Sequence, residues 1–268
     1  MRVLVTGGAG MVAGHLLRSA PGEHEVHVTW RRTPAPGGVR AHRVALDEPG
    51  ALDAVLSRVE PDLVVHTAYT SRRAADVVEA TRLVAQGCAG HGAQLVHLST
   101  DVVFGGDSPP YTESDPMGPI TDYGRWKAEA ERLVTASVPD ACIVRTSLIV
   151  SLDPPDQSTE WLLAAVDAGR APTLFRDEIR TPIRAVDLAA TLWALVALDP
   201  VARRGVWHLP GPERMSRMEL GQRVLRATGR DPGTVREGSV QDHPSPRAVD
   251  TTLIARRTPP GPPPSPVP

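Results

Sequence analysis

Residues 2–19 read Arg2-Val-Leu-Val-Thr6-Gly7-Gly-Ala-Gly10-Met11-Val12-Ala13-Gly-His-Leu-Leu-Arg-Ser19, and the rest of the chain can be parsed outward from this stretch. An apolar run of strand length enters the turn Thr6-Gly7-x-x-Gly10, and a helix-like segment with apolar residues at 12, 13, 16 and 17 leaves it. Glycine in such a turn lets backbone approach a pyrophosphate, and the helix N-terminus behind it offers unpaired N–H groups to that charge. Where a third glycine is common the chain has Ala13, followed by Gly14, which still permits close packing of helix on strand.

Further along, strand and helix patterns alternate. Strands are expected at Glu25 to Trp30, Arg43 to Leu46, Leu63 to Val65, Gln94 to Leu98 and Ala141 to Val150, with helices at 52–59, 74–87 and 126–137. That alternation predicts an α/β fold, a Rossmann-like doubly wound parallel sheet covered on both faces. Beyond Val150 it weakens: Asp153-Pro-Pro-Asp156 signals a loop, 161–168 and 218–229 short helices, 187–198 an amphipathic helix and Val206 to Leu209 a late strand. The expected organisation is a dinucleotide-binding domain over 1–150 rejoined by 185–209, with a small interleaved C-terminal substrate lobe from 151–184 and 210–257. From Thr258 onward seven of eleven residues are proline, which predicts a disordered, solvated tail over 258–268.

Composition excludes several classes of partner. The chain has 268 residues, 41% apolar, with 29 basic against 31 acidic side chains and a net charge of −2. That balance gives no general affinity for nucleic acid or an anionic membrane. No tract approaches the roughly 18 consecutive apolar residues of a membrane span, and the expectation is a cytoplasmic protein with a small-molecule substrate. Cys88 and Cys142 form no metal or redox spacing and are expected as buried thiols. No metal site is expected, since His24-x-x-His27 at a strand edge is a solvated pattern.

Two counts are sharper. Asparagine is absent, and 28 of the 29 basic residues are arginine, the single lysine being Lys127. It stands in Tyr123-Gly-Arg-Trp-Lys127, so phenol and ammonium share one face at the start of a helix. A nearby cation favours phenolate, which makes the tyrosine a competent proton donor and acceptor near neutral pH. At the end of the second strand, where a carboxylate would hold a free ribose 2′-hydroxyl, the chain has Thr29-Trp-Arg31-Arg32. This favours NADP(H) over NAD(H), with Arg31 or Arg32 on the 2′-phosphate. Asp47 is a candidate partner for the adenine, or else a helix cap.

The glycine turn, Leu98-Ser-Thr100-Asp101-Val102-Val-Phe104, Pro110-Tyr-Thr-Glu113 and the Tyr123/Lys127 pair together resemble the extended short-chain dehydrogenase/reductases, in their dTDP-4-dehydrorhamnose reductase-like, sugar-nucleotide-binding branch. Arg180-Thr-Pro to Asp187-Leu-Ala and Pro246-Arg-Ala-Val-Asp250-Thr resemble that branch's later motifs. The resemblance implies that Thr100 hydrogen-bonds the substrate carbonyl, Tyr123 protonates its oxygen, and Lys127 holds the nicotinamide ribose. Ser99 competes for the role of Thr100. Met11 and Val12 would lie on the pyrophosphate, and Ala68 and Tyr69 along the cofactor. Thr6, Gly7 and Gly10 complete the expected cofactor set. Asp101, Val102 and Arg180 would line the substrate site.

Where the branch usually has tyrosine near the sugar this chain has Val102, which predicts an altered pocket and, lacking the glutamate of related dehydratases, no dehydration. Val77 occupies the place of the superfamily's helix asparagine. Arg176, Arg180, Arg184 and Arg247 are candidates for a nucleotide diphosphate, and Trp161 either stacks on a base or fills core. The expected activity is NADPH-dependent reduction of a nucleotide-linked 4-keto-6-deoxysugar, in specialised sugar or natural-product biosynthesis. An NAD-retaining epimerase and a non-catalytic dinucleotide-binding subunit are the rival readings. Oligomeric state stays open, a homodimer included.

Overall fold

The computed structural model describes residues 1–68 and 73–268. Its strands are β1 (Arg2–Thr6), β2 (Glu25–Trp30), β3 (Arg40–Arg43), β4 (Leu63–His66), β5 (Gln94–Thr100), β6 (Cys142–Thr146), β7 (Ile149–Val150), β8 (Thr173–Phe175), β9 (Ile179–Arg180), β10 (Ile183–Arg184), β11 (Gly205–Leu209), β12 (Met215–Ser216) and β13 (Arg236–Gly238). Helices are α1 (Met11–Arg18), α2 (Asp53–Val59), α3 (Val78–His91), α4 (Asp122–Ser137), α5 (Gln157–Asp167), α6 (Ala185–Val196), α7 (Pro200–Arg203) and α8 (Arg217–Ala227).

Seven strands form one parallel sheet in the order β11-β6-β5-β4-β1-β2-β3. The direction of winding reverses between β1 and β4, which opens a crevice at the carboxyl ends of those strands. Alternation in β1 shows why both faces are covered. Val3 and Val5 join the core beneath α1 and α6, whereas Leu4 joins the core beneath α2, α3 and α4. Both faces of the inner strands are apolar, as a doubly wound sheet requires.

The ladder of β3 runs over Arg40–Arg43, earlier than the expected strand at Arg43 to Leu46. Val44 and Leu46 carry the buried side chains, but β3 is an edge strand whose paired residues are largely exposed, so hydropathy pointed past it. The strand expected over Ala141 to Val150 is divided. β6 ends at Thr146, whose hydroxyl donates to Leu209 O, and β7 leaves the sheet to pair with β10. Helix α4 starts at Asp122, capped by Thr121, whose Oγ1 accepts from Gly124 N.

α6 packs on the main sheet and β11 joins its edge beside β6. The small lobe is built from α5, α8 and the short pairs β8/β13 and β9/β12 around Leu162, Leu174, Leu220, Val224 and Leu225. The proline segment departs from expectation. Ser265 N donates to Asp187 Oδ2 at 3.0 Å, and Val267, only 4% exposed, is buried in the small lobe's core. The tail is therefore docked, because one terminal valine supplies the apolar anchor that seven prolines in sequence concealed. Among the described residues no helix is long and apolar enough to cross a membrane.

Candidate active site

The turn after β1 is held by its own backbone: Gly10 N donates to Gly7 O and Gly8 N to Thr29 O, both at 2.7 Å. Gly7 has φ +78°, and a Cβ there would stand 2.9 Å from Ala68 Cα, so this glycine meets a conformational and a steric demand together. Gly10 precedes α1 without a side-chain cap, so the first amides of that helix have no side-chain oxygen competing for them. A pyrophosphate fits this cradle.

Thr6 and Val12, expected on the cofactor, turn their side chains inward. Thr6 Oγ1 accepts from Thr67 N and Ala68 N at 3.1 Å each and reaches His66 Nδ1 at 2.7 Å, locking the end of β1 to that of β4. Val12 is a core residue, so only its backbone faces the turn, whereas Met11 is half-buried at its rim. Tyr69 lies outside the described residues. Arg31 is engaged by two carboxylates, Asp47 at 3.0 Å and Asp76 at 3.1 Å. Asp47 is thus the partner of an arginine, and Arg32 is the exposed cation of the pair. Arg43, stacked 5.6 Å from the Trp30 ring centroid, is a further cation here that pattern reading passed over.

β5 separates the two hydroxyl candidates by its pleat. Ser99 points to the α4 face, where its hydroxyl donates to buried Glu131, itself paired with Arg145 at 2.8 Å. Thr100 takes the other direction, donating to Asp101 Oδ1 at 3.1 Å while accepting from Val102 N. Gly124 explains how α4 comes so near this turn, since a Cβ on it would lie 2.2 Å from Val102 O. Tyr123 and Lys127 flank it on the first two turns of that helix. Lys127 is 3% exposed and donates to Leu98 O at 2.6 Å, with His97 Nε2 at 3.2 Å. Burial pulls its ammonium down to about 8, against a smaller opposing pull from Glu131.

Asp101 and Arg180, expected against substrate, are buried tie-points. Asp101 accepts from Ser147 at 2.7 Å and Thr251 at 3.0 Å, with Arg180 Nε at 3.7 Å. Arg180, 3% exposed, also donates to Glu178 and Ala248 O. These bonds fasten the C-terminal segment to the Thr100 turn, so both side chains are spent on architecture. Val102 is half-buried at the turn. Arg247 shares Glu178 and lies over Phe175, Arg176 pairs with Glu237, and Arg184 with Asp187.

Trp161 is 51% exposed and so fills no core; with Arg217, Leu148, Asp156 and Leu174 it lines a cleft in the small lobe. Arg217 is a cation that sequence reading missed, because only folding sets it among Asp156, Glu178, Arg180 and Arg247. No metal-binding group of three or more His, Cys, Asp or Glu occurs among the described residues. Burial raises both cysteine thiols to about 12, leaving them inert.

The reversal between β1 and β4 puts the glycine turn at the sheet's crevice, and Gly124 brings the Tyr123/Lys127 helix against the turn that follows β5. This is the layout of the extended short-chain dehydrogenase/reductase class. The chain belongs to the RmlD substrate binding domain family, whose model matches residues 1–253. A Streptomyces antibioticus protein named "Probable dTDP-4,6-dihydroxy-2-methyloxan-3-one 4-ketoreductase" is 31% identical, over 94% of this chain and 86% of its own length. The dTDP-4-keto-6-deoxy-D-glucose reductase of Streptomyces niveus is 31% identical over 88% of this chain and 81% of its own. In structure, a dTDP-4-dehydrorhamnose reductase of Bacillus anthracis in complex with NADP superposes with a TM-score of 0.82 at 19% identity, covering 95% of this chain and 90% of that one.

Proposed function

We propose that this protein is an NADPH-dependent ketoreductase that reduces the 4-keto group of a nucleotide-linked 4-keto-6-deoxysugar, with dTDP as the nucleotide. The observation that carries the reading is the close approach of α4, which bears Tyr123 and Lys127, to the Thr100–Val102 turn at Gly124. The names of the two Streptomyces relatives support the substrate class.

When bound, the reduced nicotinamide supplies the hydride, which goes to the carbonyl carbon. Thr100 rotates its hydroxyl from Asp101 to the substrate oxygen and orients it. Tyr123 transfers its phenolic proton to that oxygen as negative charge develops there, so C=O becomes CH–OH and a phenolate remains for solvent to reprotonate. Lys127 fixes the ribose and lowers the cost of the phenolate through its charge. Gly7, Gly10 and the first amides of α1 receive the pyrophosphate. Arg32, with Arg43 against the adjoining Trp30 on the neighbouring strand, meets the 2′-phosphate, since Asp47 is already neutralised by Arg31. Arg217 and Trp161, at the small-lobe cleft, offer a cation and an aromatic face to the nucleotide end of the substrate.

The test is loss of NADPH absorbance against a panel of dTDP-4-keto-6-deoxysugars, with Tyr123→Phe run alongside. Consumption that vanishes in the variant, while NADPH still binds, is the expected result. Silence across the panel with NADPH bound points instead to a non-sugar ketone or a binding subunit. Copurified NAD with sugar interconversion and no net NADPH consumption identifies an epimerase.

A further inference from the structure

On its α4 face, β5 presents His97 and Ser99 two residues apart, and α4 answers with Lys127 and Glu131 one turn apart. Because α4 runs antiparallel to β5, with its start at Val102 and Val134 near its end clustered with Leu95, these long side chains cross to form two polar pairs, each a rung between helix and strand. One rung is Ser99–Glu131, extended to Arg145 on β6 in register with Ser99. The other is His97–Lys127.

The second rung continues across the sheet. His66 on β4 is in register with His97, their ring centroids 5.3 Å apart, and Thr6 on β1 is in register with His66. Thr6 Oγ1 accepts two backbone N–H groups, so its own proton goes to His66 Nδ1, and His66 Nε2–H donates to Thr81 Oγ1 at 3.2 Å. Hydrogen bonding thus assigns His66 as a neutral tautomer. Burial pushes its pKa to about 3 and that of His97 well below the ordinary imidazole range, with the Lys127 charge acting in the same direction.

We propose that His97 is the positioning residue for Lys127: its neutral ring, protonated at Nδ1, accepts an ammonium proton at Nε2 and, with Leu98 O, aims Nζ at the cofactor ribose. This rests on the cofactor role of Lys127 given above. A lysine buried to this depth loses its charge unless acceptors compensate, and a neutral imidazole compensates without adding the full negative charge that would clamp the ammonium. The groups facing Lys127 are His97 from β5, His66 from β4, and Glu131 and Tyr123 from α4 itself. Arg145 on β6 is paired with Glu131, and Asp101, after β5, is engaged by Ser147, Thr251 and Arg180. The imidazole is a neutral acceptor at hydrogen-bond distance from Nζ.

The test is NADPH affinity as a function of pH, which needs no sugar substrate and so separates this inference from the choice of substrate. In the wild type, affinity should fall as Lys127 deprotonates, with a midpoint near 8. His97→Phe, similar in bulk but without an acceptor, should lower affinity severalfold at pH 6 and also move that midpoint down by about one pH unit. His97→Gln, which restores an acceptor, should return the midpoint to the wild-type value. A purely structural residue would lower affinity equally at every pH; that pattern, or a wild-type profile without this limb, overturns the proposal. Should His97→Phe fail to fold, the ring nitrogens of His97 in wild-type protein, read by ¹⁵N NMR, still decide. Protonation at Nδ1 alone supports the proposal, whereas a proton on Nε2 refutes it. A wild type that binds no NADPH refutes the cofactor reading, while the ¹⁵N assignment still tests the His97–Lys127 bond.

Discussion

Gly124→Ala tests the close approach on which the candidate site depends. The new methyl would begin 2.2 Å from Val102 O, with Pro119 Cβ and Thr121 Oγ1 each at 3.0 Å. Contacts below 3.0 Å are not tolerated, so the start of α4 must retreat from the turn by at least 0.8 Å. Val102 O is backbone, pinned by the adjoining Thr100 and Asp101 hydrogen bonds, and cannot yield as a side-chain tip would. Tyr123 precedes the substituted residue and moves with it. A displacement near 1 Å of a reacting group costs about 100-fold in rate, so kcat for NADPH oxidation should fall by roughly that factor. Overpacking should also cost about 1–3 kcal/mol. The helix itself prefers alanine over glycine by up to ~1 kcal/mol, which gives the alternative a definite sign. A Gly124→Ala protein with a higher Tm and undiminished turnover would refute the close approach.

Glu131→Gln leaves the Arg145 guanidinium without its buried carboxylate and should cost about 3–5 kcal/mol in urea unfolding, whereas replacing both residues by leucine should cost much less. His66 binds its proton far more weakly folded than unfolded, with a native pKa of about 3, so the unfolded state takes up the extra proton between pH 6.5 and 3. Stability should therefore fall across that window on acidification, and His66→Asn should flatten the slope; parallel slopes would remove His66 as the cause. Ending the chain at Pro264 removes buried Val267 and the Ser265–Asp187 bond, and should lower stability by roughly 1.5–3 kcal/mol. An unchanged Tm would show that the proline segment contributes nothing to the lobe.

The local pattern of the sequence determined the parts of this protein whose signal is short-range. Val3 to Val5 before Gly7 and Gly10, and Tyr123 four residues before Lys127, carry their meaning in the spacing itself, because a strand, a turn and a helix face are set by neighbouring residues. The α/β class and the Tyr/Lys pair were legible for that reason. Tertiary structure decided the fate of single polar side chains, which depends on what residues distant in sequence bring to them. Arg180 and Asp101 looked like ligand contacts until Glu178, Ser147 and Thr251 were seen to consume them. Ser99 and Thr100 were separable only once Glu131 stood opposite one of them. His97, an unremarked residue inside a strand, acquired its role when α4 laid Lys127 across it, and Val267 when the small lobe closed around it. Periodicity reports which face is buried; the partner found there, and so whether a charge is available for chemistry, is settled by packing across the sheet.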